Sequence, residues 1–134
     1  MSDVYAFDTN ALVFYGFGRR NKLGRRALEV LDRFRAGQAS VVVPSIALVE
    51  LWYLVRGGRF QVETSLRRWW NQVAGTGLLS VDLTAEDVMT AASLDWDHRD
   101  PFDRLIVATA LRYGCTLITA DEAITSWGGV DVVW

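Results

Sequence analysis

The sequence contains little cysteine, histidine or proline, and each scarcity excludes a class of protein. A single cysteine, Cys115, can form no disulfide within the chain, and its apolar surroundings predict that it is buried. A single histidine, His98, is too few for most histidine-ligand sites, and no paired CxxC or HExxH motif is present. Two prolines and a hydrophobic share of 51% predict a folded chain rather than a disordered one.

Long apolar runs and nucleotide-binding motifs are also missing. No stretch approaches the ~20 consecutive apolar residues that cross a bilayer, and the start MSDVYAFDTN does not resemble a signal peptide. We therefore expect a soluble, cytoplasmic protein with no membrane contact. The absence of GxxxxGK[ST], GxGxxG and GxSxG leaves NTPase, dinucleotide-binding and serine-hydrolase functions without their motifs.

The length and charge of the chain favour one compact unit without a strong global bias towards nucleic acid. A length of 134 residues predicts a single domain over 1–134, and a net charge of -2 does not by itself predict nucleic-acid binding. Half of the 14 cationic residues nevertheless lie within one stretch: Arg19, Arg20, Lys22, Arg25, Arg26, Arg33 and Arg35. Two interpretations remain open, a solvated helix face or an arm that contacts RNA phosphates.

Short apolar runs alternate with longer amphipathic ones along the chain. The short runs predict strands at 4–7, 40–44, 78–83, 116–121 and 130–134. The amphipathic runs predict helices at 25–37, 45–58, 62–77, 84–94 and 101–114, with a capping-box-like start in which Asp87 follows Thr84 by three residues. This alternation predicts an α/β fold, a three-layer α/β/α sandwich with a central, mainly parallel sheet.

Acidic residues follow the predicted strands or lie within apolar helices. Asp8 closes the first strand, Asp121 follows TLITA, Asp100 and Asp103 lie at the start of the helix over 101–114, and Glu50 lies inside the apolar helix SIALVELWYL. Loops and helix N-termini converge at the carboxyl ends of parallel strands, where ligands bind. Clustered carboxylates repel one another unless a cation or protons neutralise them, so the pattern indicates a divalent metal ion.

Each of these acids also has a purely structural interpretation. Asp8 and Asp121 could cap turns or helices, and Asp100 is suited to cap a helix that begins with Pro101. Glu50 could form an ion pair with Arg104 or lie on an exposed helix face. His98, in a loop beside carboxylates, could be catalytic, contact RNA, or serve only as a hydrogen-bonding partner.

Four segments of the chain resemble the acidic blocks of the PIN-domain family, in the family's order. They are DTNALV at 8–13, PSIALVEL at 44–51, HRDPFDRLIVATAL at 98–111 and LITADEAI at 117–124. The DPFDR block is similar to that of the VapC-type toxins of toxin-antitoxin pairs. The resemblance implies a PIN-like fold and an Mg²⁺-dependent or Mn²⁺-dependent endoribonuclease that cleaves single-stranded or loop RNA with a metal-activated water.

The resemblance also implies the roles of individual residues. Asp8, Glu50, Asp103 and Asp121 are implied as the catalytic acids that hold the metal, and Asp100 as an auxiliary acid. Asn10 and Thr119 are implied to orient the carboxylates. We further assign Arg104 to the rim, where its guanidinium would hold a flanking phosphate.

The partners implied by the resemblance are an RNA substrate, an antitoxin protein and a second copy of the chain in a homodimer. Alternatives are a PIN-like module that chiefly binds protein, and a stand-alone RNA-processing nuclease without an antitoxin. For the former, Trp52, Tyr53, Trp69 and Trp70 are either an exposed aromatic surface or part of the core. A haloacid-dehalogenase-like enzyme is disfavoured because DTNAL lacks the second Asp of DxDxT.

Overall fold

The computed structural model describes residues 3–134, which form five strands and seven helices. The strands are β1 (Val4–Phe7), β2 (Ser40–Pro44), β3 (Leu79–Val81), β4 (Thr116–Ile118) and β5 (Val132–Val133). The helices are α1 (Thr9–Gly16), α2 (Arg25–Arg35), α3 (Ser45–Arg56), α4 (Leu66–Ala74), α5 (Ala85–Ser93), α6 (Pro101–Arg112) and α7 (Glu122–Trp127). A short 3₁₀ helix, Arg20–Lys22, lies between α1 and α2.

The five strands form one sheet in the order β3-β2-β1-β4-β5, and every neighbouring pair is parallel. Consecutive residues of the central strands are buried, at 5–7 in β1 and 41–43 in β2. Because successive side chains of a strand point to opposite faces, both faces of the sheet must be covered by helices. The predicted three-layer α/β/α fold is confirmed.

The strand order places β1 and β4 side by side at the centre of the sheet. After β1 the chain builds outwards through β2 and β3, and it then crosses back to β4 and β5 on the other side. This reversal makes the junction of β1 and β4 a topological switch point, where the connections diverge and leave a crevice. Asp8 and Asp121 follow the two strands that flank it.

Helix boundaries differ from the predictions where a side chain caps the first turn. The helix predicted over 62–77 begins only at Leu66, because the Ser65 hydroxyl accepts a hydrogen bond from the backbone N–H of Arg68. The capping box of Thr84 and Asp87 is present in full. Helix α7, which the sequence analysis did not predict, follows Asp121 and ends at Gly128, which has a positive φ of 75°.

The aromatic residues left open by the sequence divide between core and surface. Trp69 is buried and Trp70 packs partly against the core, whereas Trp52 and Tyr53 on α3 are 45% and 53% exposed. Cys115 is buried as predicted, and burial raises the pKa of its thiol. Within residues 3–134 no helix has the length and hydrophobicity that a bilayer crossing requires.

Candidate metal centre

A cavity of about 180 Å³ lies at the carboxyl ends of β1 and β4. Only polar side chains line it, and none is Lys or Arg: Asp8, Thr9, Asn10, Glu50, Asp100, Asp103 and Asp121. The structure thus brings together the four acids assigned to the metal and the auxiliary acid Asp100, although they come from segments far apart in the chain.

Asp8 is the most deeply buried acid of the cavity, with 7% of its surface exposed. It caps α1, since its Oδ1 accepts a hydrogen bond of 2.8 Å from the backbone N–H of Ala11. Its Oδ2 accepts a hydrogen bond of 2.5 Å from the hydroxyl of Thr119, and Thr119 Oγ1 accepts one of 3.0 Å from the N–H of Asp121. Thr119 therefore joins the ends of β1 and β4 and orients the Asp8 carboxylate.

Asp100 and Asp121 also cap helices and keep one oxygen free. Asp121 Oδ1 accepts from the N–H of Ile124 at the start of α7, and Asp100 Oδ1 accepts from Phe102 and Asp103 at the start of α6. The second oxygen of each carboxylate has no hydrogen-bond partner among residues 3–134. The structural and functional interpretations are compatible, because the cap occupies one oxygen and the cavity receives the other.

Glu50 reaches the cavity from the second turn of α3. Its Oε1 accepts a hydrogen bond of 2.5 Å from the hydroxyl of Thr9, the first residue of α1. The ion pair with Arg104 considered from the sequence is not formed. A half-buried carboxylate with no cationic partner requires another source of positive charge.

Asp103 lies between the acidic cavity and His98. Asp103 Oδ2 and His98 Nε2 are 2.7 Å apart, and one ligand atom from each of His98, Asp100 and Asp103 lies within 4.8 Å of the other two. Sequence reasoning left the role of His98 open, and only proximity in the fold reveals that it is a direct partner of Asp103. Asp100, assigned from the sequence only as an auxiliary acid, lies close enough to Asp103 for both to contact one metal ion.

Burial and mutual repulsion both disfavour the charged form of the carboxyl groups at the cavity. Burial raises the pKa of Asp8 from 3.8 to about 6, against the hydrogen bonds of Thr119 and Ala11 and with added repulsion from Asp103 and Asp121. Burial also raises the pKa of Glu50 and of Asp103, and the charge of Asp100 adds to both. Mutual repulsion thus couples the acids into one negatively charged cluster.

The donor set fits a hard divalent cation. Four carboxylate oxygens at the cavity have no donor among residues 3–134, namely Glu50 Oε2, Asp100 Oδ2, Asp103 Oδ1 and Asp121 Oδ2. Mg²⁺ and Mn²⁺ prefer oxygen ligands, and the N-termini of α1, α6 and α7 can balance only part of the negative charge.

The rim residues are placed differently from the sequence assignment. The Arg104 guanidinium donates to the carbonyls of Ala91, Leu94, Trp96 and His98, so it holds the loop before α6 and is not placed to hold a phosphate. Asn10 lines the cavity. No local sequence pattern could have predicted this role of Arg104, because its carbonyl acceptors lie 6 to 13 residues earlier in the chain.

The first part of the basic stretch, up to the start of α2, lies at the same end of the sheet as the acids. The N–H groups at the start of α2 donate to the carbonyl of Trp134, one residue beyond β5, and Val133 in turn accepts from Thr119. Arg33 pairs with Asp3 and Arg20 with Asp32, as expected of a solvated helix face. Five cations in this stretch are exposed and form no ion pair within residues 3–134, namely Arg35 at the end of α2 and four that precede or begin α2: Arg19, Lys22, Arg25 and Arg26.

Comparison with known proteins identifies a family and a sequence relative. The PIN domain family matches residues 5–128. Ribonuclease VapC22 of Mycobacterium tuberculosis is 33% identical over 87 residues, which cover 64% of this chain and 66% of the relative.

Solved structures share the fold at low sequence identity. The VapBC2 structure from Rickettsia felis, bound to a promoter DNA fragment, has a TM-score of 0.73 at 17% identity and 97% coverage of both chains. FitAcB from Neisseria gonorrhoeae has a TM-score of 0.67 at 17% identity, with 97% of this chain and 96% of that chain covered. A toxin-antitoxin complex from Klebsiella pneumoniae has a TM-score of 0.65 at 19% identity, again with 97% and 96% covered.

The family match covers most of the chain, and it includes the four segments whose acids meet in the cavity. The resemblance seen in those segments is therefore confirmed: the chain belongs to the PIN-domain family.

Proposed function

We propose that this protein is an endoribonuclease dependent on Mg²⁺ or Mn²⁺, and that it is the toxin of a toxin-antitoxin pair. The observation that carries the proposal is the cluster of acids at the switch point, which has unpartnered oxygens and no cationic side chain. The match to a ribonuclease of the VapC type supports the RNA substrate. Single-stranded or loop RNA fits a recessed acidic site, because a flexible strand can lower one phosphate into it.

Asp8, Glu50, Asp103 and Asp121 would hold the metal. When bound, Mg²⁺ or Mn²⁺ would lower the pKa of a water molecule and would neutralise negative charge on the phosphate. Thr119 and Thr9 keep the Asp8 and Glu50 carboxylates in place, because their hydroxyl groups donate hydrogen bonds to them. The hydrogen bond between His98 Nε2 and Asp103 Oδ2 holds the Asp103 carboxylate from outside the cavity. Preorganised ligands of this kind reduce the cost of ordering the site.

The basic stretch near β5 is suited to bind the RNA backbone beyond the acidic cavity. Arg19, Lys22, Arg25 and Arg26 are exposed at the sheet end that carries the acids. Their attraction for phosphate would offset the repulsion between RNA and the acidic cluster. We therefore expect RNA binding to weaken steeply as the salt concentration rises.

An antitoxin protein and a second copy of the chain are the proposed protein partners. Val49, Trp52 and Tyr53 expose apolar surface on α3, the helix that carries Glu50. Large exposed aromatics of this kind mark protein contacts. Structural neighbours that are toxin-antitoxin complexes support the antitoxin. If the chain binds such a partner without cutting RNA, the alternative of a binding module is correct.

Cleavage of single-stranded RNA by the purified protein tests the proposal. We expect cutting with Mg²⁺ or Mn²⁺, none with EDTA, and a loss of at least about a hundredfold in Asp8→Asn and Asp103→Asn, because each removes a charged metal ligand. Glu86→Gln is the matched control, since Glu86 is an exposed acid on α5 away from the cavity. Equal cutting by all variants would identify a contaminating nuclease.

A further inference from the structure

A second and larger cavity adjoins the metal centre and has no part in the mechanism above. Its volume of about 720 Å³ lies within the ~300–1,000 Å³ typical of small-molecule sites. Its walls include Trp96, Trp127 and His98 together with Asp95 and Asp97. Planar rings and carboxylates thus face one open space.

The three rings of this cavity are stacked. The centroid of Trp96 lies 4.7 Å from that of Trp127, with an interplanar angle of 17°, and 4.6 Å from that of His98, with an angle of 26°. Since His98 also contacts Asp103, the stack extends from the metal centre outwards. A nucleic-acid strand with one phosphate at the metal centre would bring a neighbouring base to these rings, on which bases stack without regard to sequence.

The cavity is held in shape by hydrogen bonds within the protein. Arg104 donates to the carbonyls of Leu94, Trp96 and His98, and the indole N–H of Trp127 donates to the carbonyl of Asp95 at 2.8 Å. These bonds, all within the protein, hold the 94–98 loop against α6 and α7. A loop held in this way loses less conformational entropy when a ligand binds.

The two carboxylates of the cavity determine which part of a nucleotide it can accept. Asp95 and Asp97 are exposed, and their carboxylates form no hydrogen bond or ion pair with any residue from 3 to 134. They would repel a phosphate and accept hydrogen bonds from base N–H groups. Guanine presents two adjacent donors, N1–H and the 2-amino group, that match the two oxygens of one carboxylate. Uracil offers a single N–H between two carbonyl oxygens, which a carboxylate repels.

We propose that the cavity beside the stacked rings of Trp96 and Trp127 is a nucleobase subsite that takes a guanine next to the cleaved phosphate. The base stacks on an outer face of the three-ring stack and turns its N1–H and 2-amino edge to Asp97, the acid between Trp96 and His98 in the sequence. The subsite deepens the proposed ribonuclease function and rests on it for the identity of the strand. It gives the enzyme a preference for sites that carry guanine at one position.

Nucleotide binding in EDTA tests the subsite without any cleavage. The indole N–H signals of ¹⁵N-labelled protein are assigned with Trp96→Phe and Trp127→Phe, and the protein is titrated with the 5′-monophosphates of guanosine, inosine and uridine. The phosphate is the same in all three, so differences report on the base. We expect the Trp96 and Trp127 signals to shift with guanosine monophosphate. Inosine monophosphate, which lacks the 2-amino group, should bind roughly tenfold more weakly, and uridine monophosphate should cause no shift.

The carboxylates are tested by the double variant Asp95→Asn/Asp97→Asn, with Glu86→Gln as the charge-matched control. The double variant should lose the discrimination between guanosine and inosine monophosphates, and the control should keep it. The proposal is overturned if the two indole signals stay unmoved, or if they move equally with all three nucleotides. A response to N-acetylarginine amide but not to guanosine monophosphate would also overturn it, in favour of a site for a basic protein side chain.

The failure of the subsite and the failure of the ribonuclease function have different signatures. Guanine-specific shifts in a protein that cuts no RNA would support the subsite and contradict the nuclease function. Metal-dependent cutting without indole shifts would support the nuclease function and contradict the subsite. If both hold, a randomised RNA should be cut with a guanine at one fixed position from the scissile bond, and the double variant should lose this bias.

Discussion

Asp8 shows how a single acid can cap a helix and also line the proposed metal centre. One oxygen caps α1 through Ala11, and the other accepts from Thr119. The cap stabilises the helix, but burial among other acids raises the pKa of the carboxyl to about 6. Functional sites often retain such strain, because removing it would also remove the ligand.

Replacing Asp8 by Asn should stabilise the metal-free protein at neutral pH. A carboxyl whose pKa rises on folding, here from 3.8 to about 6, favours the folded state below its unfolded pKa. That contribution is lost as the pH rises through the folded pKa. The stability of Asp8→Asn relative to wild type should therefore increase between about pH 4 and pH 7, by on the order of 3 kcal/mol.

Urea unfolding in EDTA at several pH values measures this difference. Glu86→Gln serves as the control, since it removes one exposed negative charge on α5. A pH-independent difference between Asp8→Asn and wild type would contradict the prediction. Asn can still accept from the N–H of Ala11, so loss of the cap should not obscure the result.

Between elements, α5 and α6 are joined by an ion pair whose carboxylate is buried and whose guanidinium is partly exposed. Asp87 is 1% exposed and accepts from Arg112 Nε at 2.7 Å, while the same carboxylate completes the capping box of Thr84. Burial acts to raise the pKa of Asp87, but the Arg112 hydrogen bonds and those of Thr84 outweigh it, so the pKa is lowered. The sequence predicted the cap and not the pair, since Arg112 lies 25 residues away.

Replacing Arg112 by Met should destabilise the protein by roughly 2–4 kcal/mol, because it leaves a buried carboxylate without its cation. Arg67→Met is the matched control on the exposed face of α4. The pair contributes stability above the unfolded pKa of Asp87 that is lost as the pH falls. The gap between wild type and Arg112→Met should accordingly narrow in acid. Chemical denaturation at pH 7 and pH 4 checks both statements, and equal losses in the two variants would refute them.

At the scale of the whole molecule, the strand order creates the acidic site. The order β3-β2-β1-β4-β5 places the end of β1 beside the end of β4, although more than 100 residues separate Asp8 from Asp121. Repulsion between their carboxylates opposes this arrangement. The folded state should therefore gain from any cation that binds there and not to the unfolded chain.

Mg²⁺ or Mn²⁺ should raise the thermal stability of the wild-type protein at pH 7.5. At a metal concentration of 100 times Kd the gain is about 2.7 kcal/mol. The gain should shrink at pH 5, because protons compete with the metal for carboxylates of raised pKa such as Asp8. Thermal unfolding followed by circular dichroism, with and without metal, measures the shift. An equal shift in Asp121→Asn would show that the metal binds elsewhere.

Local interactions made part of this protein predictable from its sequence. Apolar runs predicted the strands, and the Thr84 capping box marked the start of α5, because such signals act over a few neighbouring residues. The four acidic blocks indicated the site residues by resemblance. The helix predicted to begin at residue 62 begins at Leu66, because the Ser65 hydroxyl caps it. The composition of this segment does not show which polar residue acts as the cap.

The sequence alone was sufficient to predict the strands, five of the seven helices, their alternation and the acids that follow them. Contacts between distant groups became visible only in the folded structure. It placed Asp8 beside Thr119, turned Arg104 towards four carbonyls of α5 and the loop after it, and stacked Trp96 on Trp127. Helix caps and hydrophobic periodicity depend on residues that are neighbours in the chain, so the sequence shows them directly. The contacts named above form only after parallel strands have paired across long crossovers.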